Sequence, residues 1–319
     1  MRIFITGASG CIGHYLVETL IENTDHELFL MMRNPAKLQV SVDQRPGIHV
    51  LQGDMREIAQ FADLLKTMDT AILVATSWGD PKESYEINVE KTLETMSLLD
   101  VERCQQVIYF STASILDRDN TPLKEAGEIG TDYVRTKYIC HQKLQALAIT
   151  PKVTTVFPTL VFGGSETKPY SHISGGLPEV AKYISLIRFL SADGSLHYIH
   201  AKDIADVVRH LVDNPPGAEE SREIVIGNPA KTANEIVEEI ATYLGKPPIF
   251  RIPLSFALAD IVIKVFNIRM AEWDRFCMDY RHFTYENTVT PSSFGLEDNY
   301  PSIKDVFRSA GVAPKQKLK

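Results

Sequence analysis

Apolar residues recur along the first third of the chain with two alternating periods. Short β-type runs at Arg2–Thr6, Glu27–Met32, Ile48–Gln52, Thr70–Ala75 and Gln106–Ser111 predict strands. Helical spacing separates them. In Ile12–Glu22, Ile12, Leu16 and Leu20 share one stripe, with Val17 and Ile21 beside it. Ile58–Met68, Tyr85–Val101 and Tyr133–Ala148 read as helices in the same way. Apolar strands alternating with helices predict βαβ units, hence an α/β fold with a doubly wound parallel sheet buried on both faces and right-handed crossovers.

The second half is less regular. Val153–Phe157 and Glu223–Ile226 read as further sheet strands, and Ala233–Leu244 as a helix. Residues Gly163–Gly194 are rich in Gly, Pro and Ser, and Phe250–Tyr285 is aromatic. No repeat, low-complexity run or clean linker divides the chain. A smaller C-terminal domain is therefore expected to be interleaved with the sheet. The expected division is 1–162 and 163–319, with 195–229 partly returning to the sheet.

With 319 residues, 44% hydrophobic and 23% charged, the chain has ordinary globular composition and enough length for a sizeable core. Its 33 basic and 41 acidic residues leave a net charge of −8, which speaks against nucleic acid as a partner and against an anionic membrane patch. Cys11, Cys104, Cys140 and Cys277 form no Cys-x-x-Cys pair, which fits a reducing compartment. The opening apolar run meets Gly7 too early for a secretory leader, so a cytoplasmic location is expected. The most membrane-like stretch, Leu254 to Ile268, is broken by Asp260 and Lys264 and reads as a buried or lid helix, with no membrane insertion.

The sharpest signal is Thr6-Gly7-Ala8-Ser9-Gly10-Cys11-Ile12-Gly13, between a strand and a helix. Glycines there permit a tight turn, let backbone N–H groups approach a pyrophosphate, and let helix pack closely on strand. The helix N-terminus adds a favourable field for the anion. A ribose-reading residue is expected about 20 residues on, at the end of the second strand. This chain has Met31-Met32-Arg33-Asn34 there, with no acid. Arg33, with Lys37 adding charge, suits the 2′-phosphate of NADP; the competing reading is a solvated surface arginine. Asp54 is placed either to accept from an adenine amino group or to cap the next helix.

Tyr133-Val134-Arg135-Thr136-Lys137 puts a phenol and an ammonium on one helix face, about 6 Å apart along the axis. Such a cation is expected to lower the phenol's pKa and make it a usable acid/base. The same spacing occurs at Tyr198/Lys202 and Tyr300/Lys304, which read as surface chemistry. Tyr133 stands apart because it follows the fifth strand and the cluster Ser111-Thr112-Ala113-Ser114.

Taken together, these motifs resemble the extended short-chain dehydrogenase/reductases, the NAD(P)-dependent epimerase/dehydratase family. The resemblance extends to Asn88, Phe157-Pro158-Thr159-x-Val161-Phe162-Gly163, His197 to Ala205 and Phe294-Gly295. It implies a Rossmann domain over 1–162 and mainly a substrate domain beyond. It implies a catalytic set in which Tyr133 is the acid/base, Lys137 holds the nicotinamide ribose, Thr112 bonds the substrate oxygen and Asn88 supports the helix. Gly7, Ser9, Gly10, Cys11, Ile12, Gly13, Arg33, Lys37, Asp54, Met55, Ala75, Thr76, Pro158 and Val161 would line the cofactor with Tyr133 and Lys137. NADP is the expected cofactor, with NAD as the alternative. The expected partners are a small-molecule substrate and a second copy of the chain, paired through Tyr85–Val101 and Tyr133–Ala148.

Three departures from the family pattern narrow the chemistry. Ala113 and Ser114 replace the Asp-Glu pair of sugar-nucleotide dehydratases. Leu160 stands where many relatives place an Asn on the substrate diphosphate. Arg33 replaces the acid that reads NAD. The expected activity is an NADP(H)-dependent oxidoreductase acting on a carbonyl or hydroxyl carbon, with an epimerase or a non-catalytic NADP-binding redox sensor as alternatives. Trp78, Tyr170 and the Phe256–Phe283 region are candidates for the substrate wall, and core packing is the competing reading of the last. His197 and His200 lack the spacing of a metal site and are expected to be turn histidines, and Cys11 a small packing residue.

Overall fold

The computed structural model describes residues 1–217, 219–254 and 270–314. Seven parallel strands make the main sheet. They are β1 (Arg2–Thr6), β2 (Glu27–Met32), β3 (Ile48–Gln52), β4 (Thr70–Leu73), β5 (Gln106–Phe110), β6 (Val153–Pro158) and β7 (Glu223–Ile226), in the order β7-β6-β5-β4-β1-β2-β3. Side chains alternate across the pleat. Ile3 and Ile5 enter one core while Phe4 enters the other, and Leu28, Leu30 and Met32 oppose Phe29 and Met31. Both faces are buried, which is why these strands read as unbroken apolar runs.

Helices α1 (Cys11–Asn23), α2 (Asp132–Leu144) and α3 (Ala201–Asp213) supply much of the cover. The α1 residues Leu16, Val17 and Leu20 share one core with Ile204, Val207, Val208 and Leu211 of α3. Cys140 and Leu144 of α2 join the opposite core with Met96 and Leu99. A third cluster gathers Phe162, Leu177, Ile184, Tyr198, Ile240, Val306 and Phe307 outside the sheet. Short parallel strands at Leu160–Phe162 and Tyr198–His200 bring the later segment back beside the end of β6.

Several boundaries differ from expectation. The helix expected over Tyr85–Val101 starts at Pro81, where the Asp80 side chain accepts from the Glu83 N–H at 2.8 Å. It passes through a π-helical turn at Glu86–Lys91 and ends at Ser97. The 58–68 region is a 3-10 stretch, Met55–Phe61, followed by the short helix Ala62–Leu65. Helix α3 and the helix Leu177–Ile187 were not expected; charged residues break up the apolar run of α3, and glycines and prolines surround Leu177–Ile187. Tyr198 is fully buried rather than at the surface, and its hydroxyl donates to the Pro301 carbonyl at 3.2 Å. Of the helix expected at 254–268, all but Leu254 lies outside the described residues.

Strand order reverses between β1 and β4, so the loops leaving their carboxyl ends diverge. In open α/β sheets the resulting crevice is where ligands bind.

Candidate active site

The glycine loop leaves β1 at that reversal. Gly7 has φ +74, and a Cβ there would lie 2.6 Å from the Ala75 nitrogen just beyond β4. A Cβ on Gly13 would lie 2.1 Å from the Gly7 carbonyl oxygen. Side chains are thus excluded at both ends of the turn. Within it the Gly10 N–H donates to the Gly7 carbonyl at 3.0 Å. No side chain caps the start of α1 at Gly10, so its first amides remain available to an anion. Ser9, Cys11 and Ile12 are half-buried. The Cys11 sulfur packs against Gly163, and burial pushes its thiol up to about 12, which leaves it un-ionised and poorly nucleophilic.

Thr6 of β1 pairs with Met31 of β2, so the loops after these strands leave side by side. Arg33 follows there. Its side chain is 70% exposed and pairs with Glu83 at 3.8 Å, leaving most of the guanidinium open to a ligand. Lys37 is exposed on the turn that follows. Asp54 caps the next helical turn by accepting from the Arg56 N–H at 2.9 Å. Its carboxylate also takes the Arg56 guanidinium at 3.0 and 2.6 Å, which holds it down at about 2. Arg56 is thus a second cation close to Arg33 that the sequence analysis missed. Met55 is buried beside it.

A buried amide joins the cofactor crevice to the catalytic helix. The Ala75 N–H donates to Thr6 Oγ1 at 3.2 Å, which ties the β4 loop to β1. Asn88 Oδ1 accepts from Thr76 Oγ1 at 3.0 Å and from the Ser77 N–H at 2.8 Å. Its Nδ2 donates to the Ser77 carbonyl and to Thr136 Oγ1, each at 3.0 Å. Thr136 Oγ1 in turn donates to the Tyr133 carbonyl at 3.0 Å. Asn88 is fully buried and uses all four of its bonding positions. It sits in the π-helical turn, a feature frequent at functional sites.

The structure brings Thr112, Tyr133 and Lys137 together. Thr112 follows β5 and is buried, with its Oγ1 accepting from the Ser114 N–H at 3.3 Å. The Tyr133 hydroxyl is near enough to Thr112 for that side chain to favour the ionised phenol. Lys137 is 2% exposed, and its ammonium donates to the Phe110 carbonyl at 2.7 Å, with two further protons unshared among the described residues. Burial pulls that ammonium down to about 8. It pushes the Tyr133 phenol up to about 12, with the Thr112 side chain opposing the rise. The expected lowering of the phenol's pKa is therefore not found, because desolvation dominates.

Trp78 stacks on the Tyr133 ring, with centroids 3.6 Å apart and planes at 12°. His172 makes a tilted contact with the indole at 4.7 Å. Tyr170, on the same loop as His172, is exposed. Pro158 closes β6, and Val161 is half-buried beside Ile199. Within the expected aromatic region, residues 256–269 lie outside the described residues. Trp273, Phe276, Tyr280 and Phe283 form a chain of ring contacts at 5.0–5.4 Å. Trp273, Phe276 and Tyr280 pack in the cluster that includes Ala113, Leu116 and Tyr133, so they are core residues close to Tyr133.

His197 and His200 have structural roles. His197 Nδ1 donates to the Asn228 carbonyl at 2.7 Å, and its Nε2 accepts from the Tyr285 N–H at 3.1 Å. His200 caps α3 and stacks on Tyr300 at 3.6 Å.

Cβ-intolerant glycines at an open helix start fit the pyrophosphate of a dinucleotide. Comparison with known proteins agrees. Residues 3–227 match the model of the NAD dependent epimerase/dehydratase family. Quinone oxidoreductase 2 of Escherichia coli (strain K12) is 29% identical over 127 residues, 40% of this chain and 41% of the relative, so the chain spans about two fifths of that relative's length. The crystal structure of gox2253 superposes with a TM-score of 0.71 at 19% identity, covering 98% of this chain and 99% of the other. The UDP-glucose 4-epimerase of Thermus thermophilus, solved as a complex with NAD, gives 0.63 at 14% identity, covering 98% of each chain. With the family matched from β1 through β7, the chain belongs to the NAD dependent epimerase/dehydratase family, enzymes of the extended short-chain dehydrogenase/reductase type.

Proposed function

We propose that this enzyme is an NADP(H)-preferring oxidoreductase that works on a carbonyl or hydroxyl carbon of a small molecule, with Tyr133 as the acid/base. The observation that carries this reading is that Tyr133, beside Thr112, shares one helix face with the buried ammonium of Lys137 near the glycine-loop crevice. The bound nicotinamide would supply or accept the hydride. The protein does the rest. With its phenol raised to about 12, Tyr133 stays protonated at neutral pH and is suited to donate to the oxygen of a carbonyl under reduction. Thr112 orients that oxygen, Lys137 holds the ribose hydroxyls, and the proton Tyr133 gives up is replaced from solvent.

Open exposure of Arg33, with Arg56 fixed nearby by Asp54, supports NADP over NAD. Leu160, Ala113 and Ser114, together with the aromatic residues close to Tyr133, support a substrate less charged than a sugar nucleotide, and the partial relative named as a quinone oxidoreductase accords with that. The same reading includes a division near residue 162, a cytoplasmic location and a homodimer paired through the helices at 81–97 and 132–144.

The test follows NADPH absorbance with a panel of ketones, aldehydes and quinones, comparing wild type with Tyr133→Phe. The variant should retain NADPH binding and lose about 10²–10⁴ of its rate. An equal rate in the variant would refute the acid/base role. Tight binding with no turnover of any compound would point to the redox sensor, and sugar-nucleotide isomerisation without net NADPH loss to the epimerase.

A further inference from the structure

A buried side chain, His14, ties the turn bearing Lys37 to the glycine loop. The ring is fully buried one turn into α1. Its Nδ1 lies 2.9 Å from the Gly10 carbonyl, and its Nε2 lies 3.2 Å from the Gln39 nitrogen and 3.1 Å from the Lys37 carbonyl. The Gln39 N–H can only donate, so Nε2 accepts from it and Nδ1 carries the ring proton toward the Gly10 carbonyl, leaving the Lys37 carbonyl packed beside Nε2. One imidazole thus links the glycine at the start of α1 to the backbone of residues 37–39.

That segment is bonded within itself. Asn34 Oδ1 accepts from the Ala36 N–H at 3.0 Å, and the Leu38 N–H donates to the Pro35 carbonyl at 3.0 Å. The Lys37 N–H donates to the Asn34 carbonyl at 3.1 Å. The turn is therefore stiff from Asn34, next to Arg33, to Leu38. Its placement relative to the glycine loop rests on the β1–β2 pairing at one end and, at the other, on His14 together with the packing of Leu38 and Val40 against the core.

We propose that His14 is a positioning residue for cofactor choice. It sets the separation between the loop that takes the pyrophosphate and the Arg33 guanidinium that faces the ribose 2′-phosphate, without touching the cofactor. The inference rests on the reading of Arg33 given under Proposed function. Charge-assisted bonds to phosphate depend on direction as well as distance, so a turn that drifts weakens them first. NADH, which lacks that phosphate, is insensitive to the drift.

His14→Asn keeps an amide donor near the place of Nδ1 and removes the Nε2 link. His14→Gln offers an amide oxygen near the place of Nε2. Steady-state constants are measured for NADPH and NADH in wild-type and Arg33→Ala backgrounds. His14→Asn should raise KM for NADPH about three- to tenfold, with kcat unchanged and KM for NADH shifted less than about twofold. His14→Gln should keep most of the NADPH preference. In the Arg33→Ala background His14→Asn should add no further loss. Should His14→Asn fold poorly, Gln39→Pro removes the same N–H from the other end, because Leu38 at φ −80, ψ 114 suits a residue before proline. Equal losses with both cofactors, or a penalty that persists in the Arg33→Ala background, would overturn the positioning role. If Arg33→Ala discriminates between the cofactors and His14→Asn does not, the inference about His14 alone fails. If Arg33→Ala fails to discriminate, the NADP reading fails and takes this inference with it.

Discussion

Replacing Asn88 by alanine tests whether one buried amide couples the cofactor crevice to the catalytic helix. Four hydrogen bonds of 2.8–3.0 Å disappear. At about 1 kcal/mol each the simple sum is about 4 kcal/mol. Two of the partners recover part of that loss. Thr76 is exposed and can turn to water, and Thr136 keeps its bond to the Tyr133 carbonyl. The Ser77 N–H and carbonyl, half-buried, bear most of the cost. A net destabilisation of about 2–3 kcal/mol follows. Urea unfolding at pH 7, followed by tryptophan fluorescence, measures it as a midpoint shift on the order of 1 M. Loss of the tie should also let Tyr133 drift relative to the crevice, and kcat should fall about ten- to a hundredfold. A stability change below about 0.5 kcal/mol, or a normal kcat in the folded variant, would show that Asn88 does not couple the two.

Two further predictions concern the phosphate loop and acid stability. Gly13→Ala places a Cβ 2.1 Å from the Gly7 oxygen and 2.9 Å from the Ala8 backbone, none of which can yield, so NADPH affinity should fall by more than about a hundredfold; titration of NADPH fluorescence reads this, and wild-type affinity would sink the account of the loop. Burial lowers His200 from 6.5 to about 3, so between those values the unfolded chain binds a proton that the folded chain refuses, and stability should fall by about 1.4 kcal/mol per unit as pH drops through that window. His200→Asn, which can retain the cap on α3, should flatten that slope in urea titrations from pH 7 to 4, and parallel slopes for the two proteins would exclude His200 as its source.

Local pattern was enough for the strands, the glycine loop and the pairing of Tyr133 with Lys137. Each of these depends on neighbours a few residues apart: alternation along a strand, a turn that excludes Cβ atoms, or one helical turn. Helix α3 escaped notice because Lys202, Asp203, Asp206 and Arg209 interrupt its apolar positions, and only packing on α1 shows which face is inward. The π-helical turn at Asn88 was equally hidden, since its register is set by partners on the β4 loop and on α2.

Amino-acid order alone determined the fold class and named the chemical groups, because periodicity and turn chemistry are short-range properties. Their charge states and mutual placement were decided by the tertiary structure. Burial raised Tyr133 against the expectation drawn from spacing and lowered Lys137, and the fold gave His14 partners up to 25 residues away that no linear pattern encodes. Desolvation and long-range hydrogen bonding depend on what the rest of the chain places around a side chain.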